Sequence, residues 1–246
     1  MNFTGTHKFK LPSGVEAVVG ELLGKHQRIL TTDSNIPFIE RSNEVLVDVL
    51  QSVEGVDKID MEFVKTMLST DRRYALIMAR QFSTDFSEVF KYHFKDGDFE
   101  HTEEIDIVNG LFPMKANLLQ FSKYPEIVRE KELVLPRSGL KCKYRLLDGG
   151  GEAIMLNTAK KKRSSHTPLI ARRCQYFNAN AGKDGLWMVL PYDKMSLKDL
   201  AAIREDIKRQ EGEVITHAEF DHPNTGQLIR VDLLNTIDFF FLTSSL

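Results

Sequence analysis

Leu11-Pro12-Ser13-Gly14, followed by Leu22-Leu23-Gly24, recurs later in the chain as Leu135-Pro136-Arg137-Ser138-Gly139, followed by Leu146-Leu147-Asp148-Gly149. The step from Leu-Pro to Leu-Leu is 11 residues in both places, and the two copies are 124 residues apart. Proline, serine and glycine between alternating apolar residues are typical of a hairpin turn. The chain therefore carries the same hairpin signal twice.

A second pair of landmarks lies near the end of each half. Phe94 and Ile105-Asp106-Ile107 in the first half correspond to Phe220 and Val231-Asp232-Leu233 in the second, at an offset of 126 residues. Two landmarks with nearly the same offset indicate an internal duplication. We therefore expect two related lobes, and duplicated lobes without a catalytic constellation favour a surface for partners.

The pattern predicts an α+β fold of two pseudo-repeated lobes, each built from β-hairpins packed on short helices. The N-terminal lobe, residues 1–130, reads as hairpin, helices and hairpin. The C-terminal lobe, residues 131–246, reads as a related hairpin, a basic loop, a helix, a hairpin and an aromatic tail. A lobe of about 120 residues lies in the usual size range of domains.

Local signals place the individual elements. Asp60 is expected to cap one short helix, and Ser69 or Thr70 the next. Ser196 is expected to cap a helix that ends near Gly212. We predict a long loop from the three glycines 149–151 through the basic run and a buried apolar segment at 186–190, and the Ser196 helix should bury one apolar face: Leu197, Leu200, Ile203 and Ile207.

Composition narrows the class of protein. The 246 residues include 42% hydrophobic side chains, and no apolar run approaches the roughly 18 residues that a membrane span requires. The N-terminus lacks the pattern of a secretion signal. Two cysteines, Cys142 and Cys174, give neither a disulfide framework nor zinc spacing. We therefore expect a protein made in a reducing cytoplasm, without membrane contact.

Neither catalysis nor a cofactor is predicted. The chain has no nucleotide-binding glycine motif and no G-x-S-x-G turn. Asp71-Arg72-Arg73 is read as a helix cap with solvated or packing arginines. A metal is weighed at the two terminal hairpin turns, but each turn offers at most two histidines and no cysteine, so surface strand histidines are the preferred account: His93, His101, His217 and His222.

Charge is distributed unevenly. Residues 132–183 carry eleven basic and three acidic side chains, so this segment is about +8 and the remainder of the chain about −10. The basic run in residues 160–173 could contact nucleic-acid phosphates, or it could dock on an acidic subunit or simply stay solvated. We favour docking on an acidic subunit or simple solvation over contact with nucleic acid. For the apolar tail Phe239-Phe240-Phe241-Leu242, we favour burial over an exposed plug.

The order of parts resembles the baseplate hub and tail-assembly proteins of T-even-like bacteriophages. The similarity covers nearly the whole chain, without one specific motif. Relatives often carry Cys-x-x-Cys knuckles at the two hairpin turns, so the resemblance implies that this chain has lost the metal and holds those turns by backbone geometry alone. The parts that carry the resemblance are Leu11-Pro12-Ser13-Gly14, Leu22-Leu23-Gly24-Lys25, the Asp71-Arg72 helix start, the Phe-rich hairpin at 88–108, Ile203-Arg204-Glu205-Asp206-Ile207 and Asp238-Phe239-Phe240.

The sequence thus predicts a non-enzymatic structural or assembly protein of a phage tail baseplate, expressed late and acting through protein–protein contacts in the host cytoplasm during assembly. The resemblance leaves two roles open: a chaperone that leaves, or a subunit that stays in the virion tail baseplate. Its partners would be other tail proteins in an oligomeric assembly. The alternative is a nucleic-acid-binding module that uses residues 160–173. The candidate contact residues are Lys160, Lys161, Lys162, Arg163, Arg172, Arg173, Asp96, Gly97, Asn224, Gly226, Phe239, Phe240 and Phe241.

Overall fold

A computed structural model describes residues 5–31, 36–84, 89–96, 99–106, 121–154, 173–180, 185–212, 214, 216–222 and 224–235. Helices and antiparallel sheets both contribute, so the predicted α+β class is confirmed. Within the described ranges, no helix is long and apolar enough to cross a membrane.

The strands of the described residues form four antiparallel sheets. A three-stranded sheet has the order β1-β2-β3, a four-stranded sheet has the order β6-β7-β8-β9, and the pairs β4-β5 and β10-β11 form two separate hairpins. The strands are β1 (Thr6–Lys10), β2 (Glu16–Gly20), β3 (Leu50–Val53), β4 (Val89–Asp96), β5 (Phe99–Asp106), β6 (Glu130–Val134), β7 (Lys141–Arg145), β8 (Cys174–Asn178), β9 (Leu186–Val189), β10 (His217–Asp221) and β11 (Leu228–Asp232).

The helices are α1 (Gly24–Thr31), α2 (Phe38–Val49), α3 (Met61–Thr66), α4 (Ser69–Phe82), α5 (149–154 as far as it is described) and α6 (Leu197–Glu211). The helices of the first half contact one another, and α2 and α4 also contact the three-stranded sheet. The cap at Asp60 is confirmed, because its carboxylate accepts the Phe63 N–H at 2.9 Å. The cap at Ser196 is confirmed by the Asp199 N–H, which donates to its hydroxyl at 3.1 Å, and α6 ends at Gly212 as predicted.

Four local expectations are wrong. Ser69 and Thr70 do not cap α4, because the helix begins at Ser69 itself and Leu68 occupies the cap position. The three glycines 149–151 are helical rather than part of a loop. At Gly149 the absence of a Cβ lets α5 lie close to Arg72 of α4. Leu197 is 84% exposed in the first turn of α6, whereas the other three apolar residues of that face are buried. The fourth error, at residues 186–190, concerns the candidate site.

The turn of the first hairpin in each half is tied to the first turn of a later helix. In the first half the Ser13 N–H donates to the Asp71 carboxylate in α4 at 2.9 Å. In the second half the Arg137 N–H donates to the Asp199 carboxylate in α6 at 2.7 Å. The two contacts occupy corresponding places in the order hairpin, helix, hairpin. They support the proposed duplication, which stays an inference from the sequence.

One continuous hydrophobic core contains residues from both halves of the chain. Val45 and Ile77 from the first half and Tyr144 and Ile203 from the second belong to the same buried cluster. The helices α2, α4 and α6 each bury apolar side chains in or beside this core. The division at residue 130 stays a prediction.

Candidate interaction surface

Among the described strands, β9, at one edge of the four-stranded sheet, exposes the most apolar side chains. The sequence predicted a buried segment here, and that expectation is wrong for all but its last residue. Leu186, Met188 and Val189 are 58%, 43% and 76% exposed, whereas Leu190 is buried. The strand pairs with β8 on one side, and no described strand lies on its other side. An uninterrupted apolar run does not reveal whether neighbouring elements cover the strand.

The two faces of β9 differ in chemistry. Met188 lies opposite Tyr176, which lies opposite the buried Cys142, so Met188 and its neighbour Leu186 belong to the core-side face. Trp187 and Val189 belong to the outer face. On the core-side face, the apolar side chains of Leu186 and Met188 therefore extend beyond the buried core and are exposed at the edge of the sheet.

The outer face holds a cation beside aromatic rings. The Lys143 ammonium lies 4.5 Å from the centroid of the Trp187 ring, and the Phe177 and Trp187 rings are 5.5 Å apart. Gly185, with a φ of +64°, allows the Phe177 ring to lie directly on the backbone before β9, where a Cβ would approach that ring to 2.2 Å. These contacts fix the orientation of the outer face near the edge.

Basic side chains alternate along β7 on this outer face. Lys141, Lys143 and Arg145 all point away from the core, since Cys142 and Tyr144 between them are buried. Arg145 pairs with Asp148 at 3.1 Å. Across the sheet, Glu132 of β6 stands opposite Lys143. Even so, Lys143 forms no ion pair within the described part of the chain.

Arg173 was predicted to be a contact residue, but its side chain is bound to other parts of the same chain. Its guanidinium forms an ion pair with Glu211 at the end of α6 and donates to the Arg145 carbonyl at 2.8 Å. The side chain is about 10% exposed, so it joins β8 to α6 and presents little surface. The other predicted basic contacts, Lys160 to Arg163 and Arg172, lie outside the described residues.

The two hairpin tips are described only in part. Asp96 ends β4, and Gly97 lies outside the described residues. Asn224 and Gly226 form the exposed tip between β10 and β11. No three metal-binding side chains come together anywhere in the described ranges. The aromatic tail at 239–241 falls outside those ranges too.

His222 corrects two expectations about the second tip. It is buried rather than a surface strand histidine, and its Nδ1 accepts the N–H groups of Asn224 and Thr225 at 3.1 and 3.3 Å. The turn is therefore held by a side chain as well as by backbone geometry. A histidine that accepts two turn amides does here what a capping carboxylate does at a helix start.

A charge cluster, buried at Arg72 and Glu152, lies where α4 meets α5. Arg72 contacts Glu152 at 3.3 Å and also donates to Asn43, while Arg73 contacts the second oxygen of Glu152. Burial lowers the pKa of Arg72, and the charge of Glu152 opposes that change. A cavity of about 320 Å³ adjoins the cluster. Because Glu152 pairs with both arginines and Asn43 accepts a further hydrogen bond from Arg72, we read this cluster as a structural junction.

A second buried acid, Asp71, stands beside that cluster in sequence. Burial raises its pKa to about 6, and the Ser13 N–H and the hydroxyls of Ser13 and Tyr124 oppose the rise. Cys142 and Cys174, diagonal to each other on β7 and β8, are buried thiols, and the thiol contact together with burial raises the pKa of Cys142. None of these groups opens onto the outer face of the sheet.

The sequence did not indicate β9 as a candidate contact strand. One signal was present: Leu186-Trp187-Met188-Val189 stands between Gly185 and Pro191, and short strands next to such residues commonly lie at edges. In comparisons with known proteins, the chain matches no family model, no curated protein and no solved structure.

Proposed function

We propose that this chain is a non-enzymatic structural or assembly protein of a phage tail baseplate, acting through protein–protein contacts. One observation carries the contact role: β9 presents three exposed apolar side chains at the edge of the four-stranded sheet. Edge strands of this kind pair with other chains unless they are protected. The baseplate setting comes from the resemblance in the order of parts.

The contact role has a clear physical basis. Exposing Leu186, Met188 and Val189 to water is unfavourable, at roughly 25 cal/mol for each Å² of apolar surface that a partner could cover. Exposed apolar side chains with charged neighbours at a sheet edge are typical of an interaction site. The predicted basic loop and hairpin tips would add contacts in the same assembly.

Copurification from infected cells tests this function. The tagged chain should bring down tail proteins, and mass spectrometry of purified virions should show whether it stays in the particle or leaves after assembly. Val189→Asp should lose those partners, because it places a charge on the exposed edge. Val128→Asp, at a residue that is 58% exposed outside any strand, is the matched control and should retain them. Absence of tail proteins from the wild-type sample would reject the proposal.

A nucleic-acid-binding module is the second candidate. The observation that favours it is the outer face itself, where the basic side chains of β7 lie beside Trp187 and Phe177. Proteins that bind single-stranded nucleic acid combine basic side chains, which contact phosphates, with aromatic side chains, on which bases stack. Binding to single-stranded DNA should then fall steeply with salt, and neutralising Lys160, Lys161, Lys162 and Arg163 should nearly abolish it. Salt-independent retention of tail proteins would favour the first function.

A further inference from the structure

We propose that β9 accepts an added strand from a partner protein, and that this strand alternates apolar and acidic side chains. This inference rests on the proposed role in protein–protein contacts and names the chemistry of the partner. It follows from the main chain of β9, from the difference between its two faces and from the charge at Lys143.

The main chain of β9 has hydrogen-bonding groups that point away from the sheet. The Leu190 N–H donates to the Cys174 carbonyl at 3.3 Å, and the register continues from that pair to Met188 opposite Tyr176 and Leu186 opposite Asn178. In an antiparallel ladder, bonded and non-bonded pairs alternate. The N–H and C=O groups of Trp187 and Val189 therefore face outward, and no described strand pairs with them.

The core-side face of β9 calls for apolar side chains. Leu186 and Met188 are both exposed there, and Met188 contacts the Tyr176 hydroxyl and the Asn178 amide through its sulfur at 3.8 and 3.4 Å. A strand added at the edge would place every second side chain beside these two residues. Apolar residues at those positions would cover the exposed surface.

The outer face calls for acidic side chains. The Lys143 ammonium extends across β8 to the Trp187 ring and makes no ion pair among the described residues. The segment that contains it, residues 132–183, is about +8. A carboxylate on the outer face of an added strand would lie near this cation, at an edge where attraction between opposite charges directs the register of pairing.

Charge argues against a second copy of this chain as the added strand. When two β9 strands pair antiparallel around a two-fold axis normal to the sheet, the outer faces of both copies stay on the same side. The two Lys143 ammonium groups would then share one face, and none of the described residues of β8 or β9 on that face is a carboxylate. A partner strand with the opposite charge removes that repulsion, so we commit to a heterologous acidic strand.

The test follows the backbone amides of the full chain. In the free protein, the amides of Trp187 and Val189 should exchange with solvent quickly, while the Met188 amide should be protected by β8. The probe is a blocked peptide of the sequence Val-Glu-Val-Glu-Val-Glu-Val, with a Val-Lys peptide of equal length as the charge control. The Val-Glu peptide should protect both outward amides saturably, and the Val-Lys peptide should not.

Two matched pairs of variants identify the contacts. Val189→Pro removes an outward N–H and should weaken peptide binding by about tenfold or more, while the fold is retained because proline is tolerated where an edge N–H faces solvent. Val134→Pro, on the opposite edge strand β6, removes an outward N–H there and should leave binding unchanged. Lys143→Gln should weaken binding and reduce its salt dependence, whereas Lys141→Gln should have little effect.

Several outcomes would overturn the proposal. They are protection of both outward amides before any peptide is added, equal binding of the two peptides, and full binding by Val189→Pro. Concentration-dependent dimerisation that protects the same amides would assign the edge to a second copy instead. If Val189→Pro still copurifies with tail proteins, strand addition is wrong and the assembly role stands. If the wild-type chain copurifies with none, the assembly role itself fails.

Discussion

Among single residues, the adjacent charged side chains of Asp71 and Arg72 at the start of α4 make different tertiary contacts. Asp71 accepts the Ser13 N–H in the first hairpin turn, and Arg72 reaches Asn43 and Glu152 on the other side of the helix. The sequence allowed packing arginines at this position but described Asp71 as a cap. It could not show that both side chains are buried, because burial depends on the elements that later pack around the helix.

Asp71 should make stability depend on pH in a recognisable direction. Its pKa is about 6 in the folded protein against an ordinary value of 3.8, so between these values the folded state binds more protons than the unfolded state. Stability from this group is therefore lost as the pH rises through that window, by up to about 3 kcal/mol. Comparing urea unfolding of the wild type and Asp71→Asn at pH 4.5 and 7.5 isolates the effect.

The comparison cancels the other carboxylates. Asp48 and Asp60 have lowered pKa values, chiefly because Lys25 and the Phe63 N–H respectively hydrogen-bond to them, and they lose their contribution as the pH falls. Both are present in each protein. Asn at position 71 can still accept the Ser13 N–H, so the variant should gain stability relative to the wild type at the higher pH. An unchanged difference at the two pH values would contradict the assignment.

At the scale of elements, the sequence located hairpins and capped helices well and judged exposure poorly. Turn residues and caps are local, so the β1-β2, β6-β7 and β10-β11 hairpins and the two caps follow from nearby residues. The exposure of β9 and the helical conformation of α5 depend on which element packs against each of them. These were the elements that composition alone misplaced.

Gly149 illustrates this dependence and gives a test. A Cβ there would lie 2.9 Å from Cζ and Nε of the Arg72 guanidinium, which is held on its other side by Asn43 and Glu152. Gly149→Ala should therefore destabilise the protein by about 2 kcal/mol, within the usual range for overpacking. Gly150→Ala is the matched control, because its nearest neighbour is at 3.6 Å.

The control should move stability the other way. Alanine is favoured over glycine inside a helix by about 1 kcal/mol, so Gly150→Ala should be neutral or stabilising. Urea midpoints of the two variants, compared with the wild type, give the sign of each change. Equal destabilisation by both would mean that α5 is not held against Arg72.

At the scale of the whole molecule, contacts across residue 130 join the two predicted lobes. The Ser69 N–H donates to the Leu147 carbonyl at 2.8 Å, and the Thr70 hydroxyl donates to the Glu211 carbonyl at the same distance. Arg72 and Glu152 add a buried ion pair between the halves. A duplicated sequence therefore does not require two independent units, and the extent of these contacts favours one cooperative fold.

Unfolding by urea, followed by two probes, tests that cooperativity. Trp187 is the only tryptophan and reports on the second half, whereas far-ultraviolet circular dichroism is dominated by helices, of which α2 and α4 lie in the first half. A cooperative fold should give coincident curves from both probes. Separate midpoints would instead indicate that the lobes at 1–130 and 131–246 unfold independently.

Breaking the junction should shift both curves together. Glu152→Gln keeps the size of the side chain but leaves the Arg72 guanidinium buried without its carboxylate, and losing one partner of a buried pair costs about 3 kcal/mol. Glu16→Gln breaks the exposed pair with Lys8 and should cost less than about 1 kcal/mol. If Glu152→Gln moved the dichroism curve and left the tryptophan curve in place, the ion pair would stabilise only the first half. If both unfolding curves shift together, losing the ion pair at the α4–α5 junction also destabilises the part of the protein that contains β9.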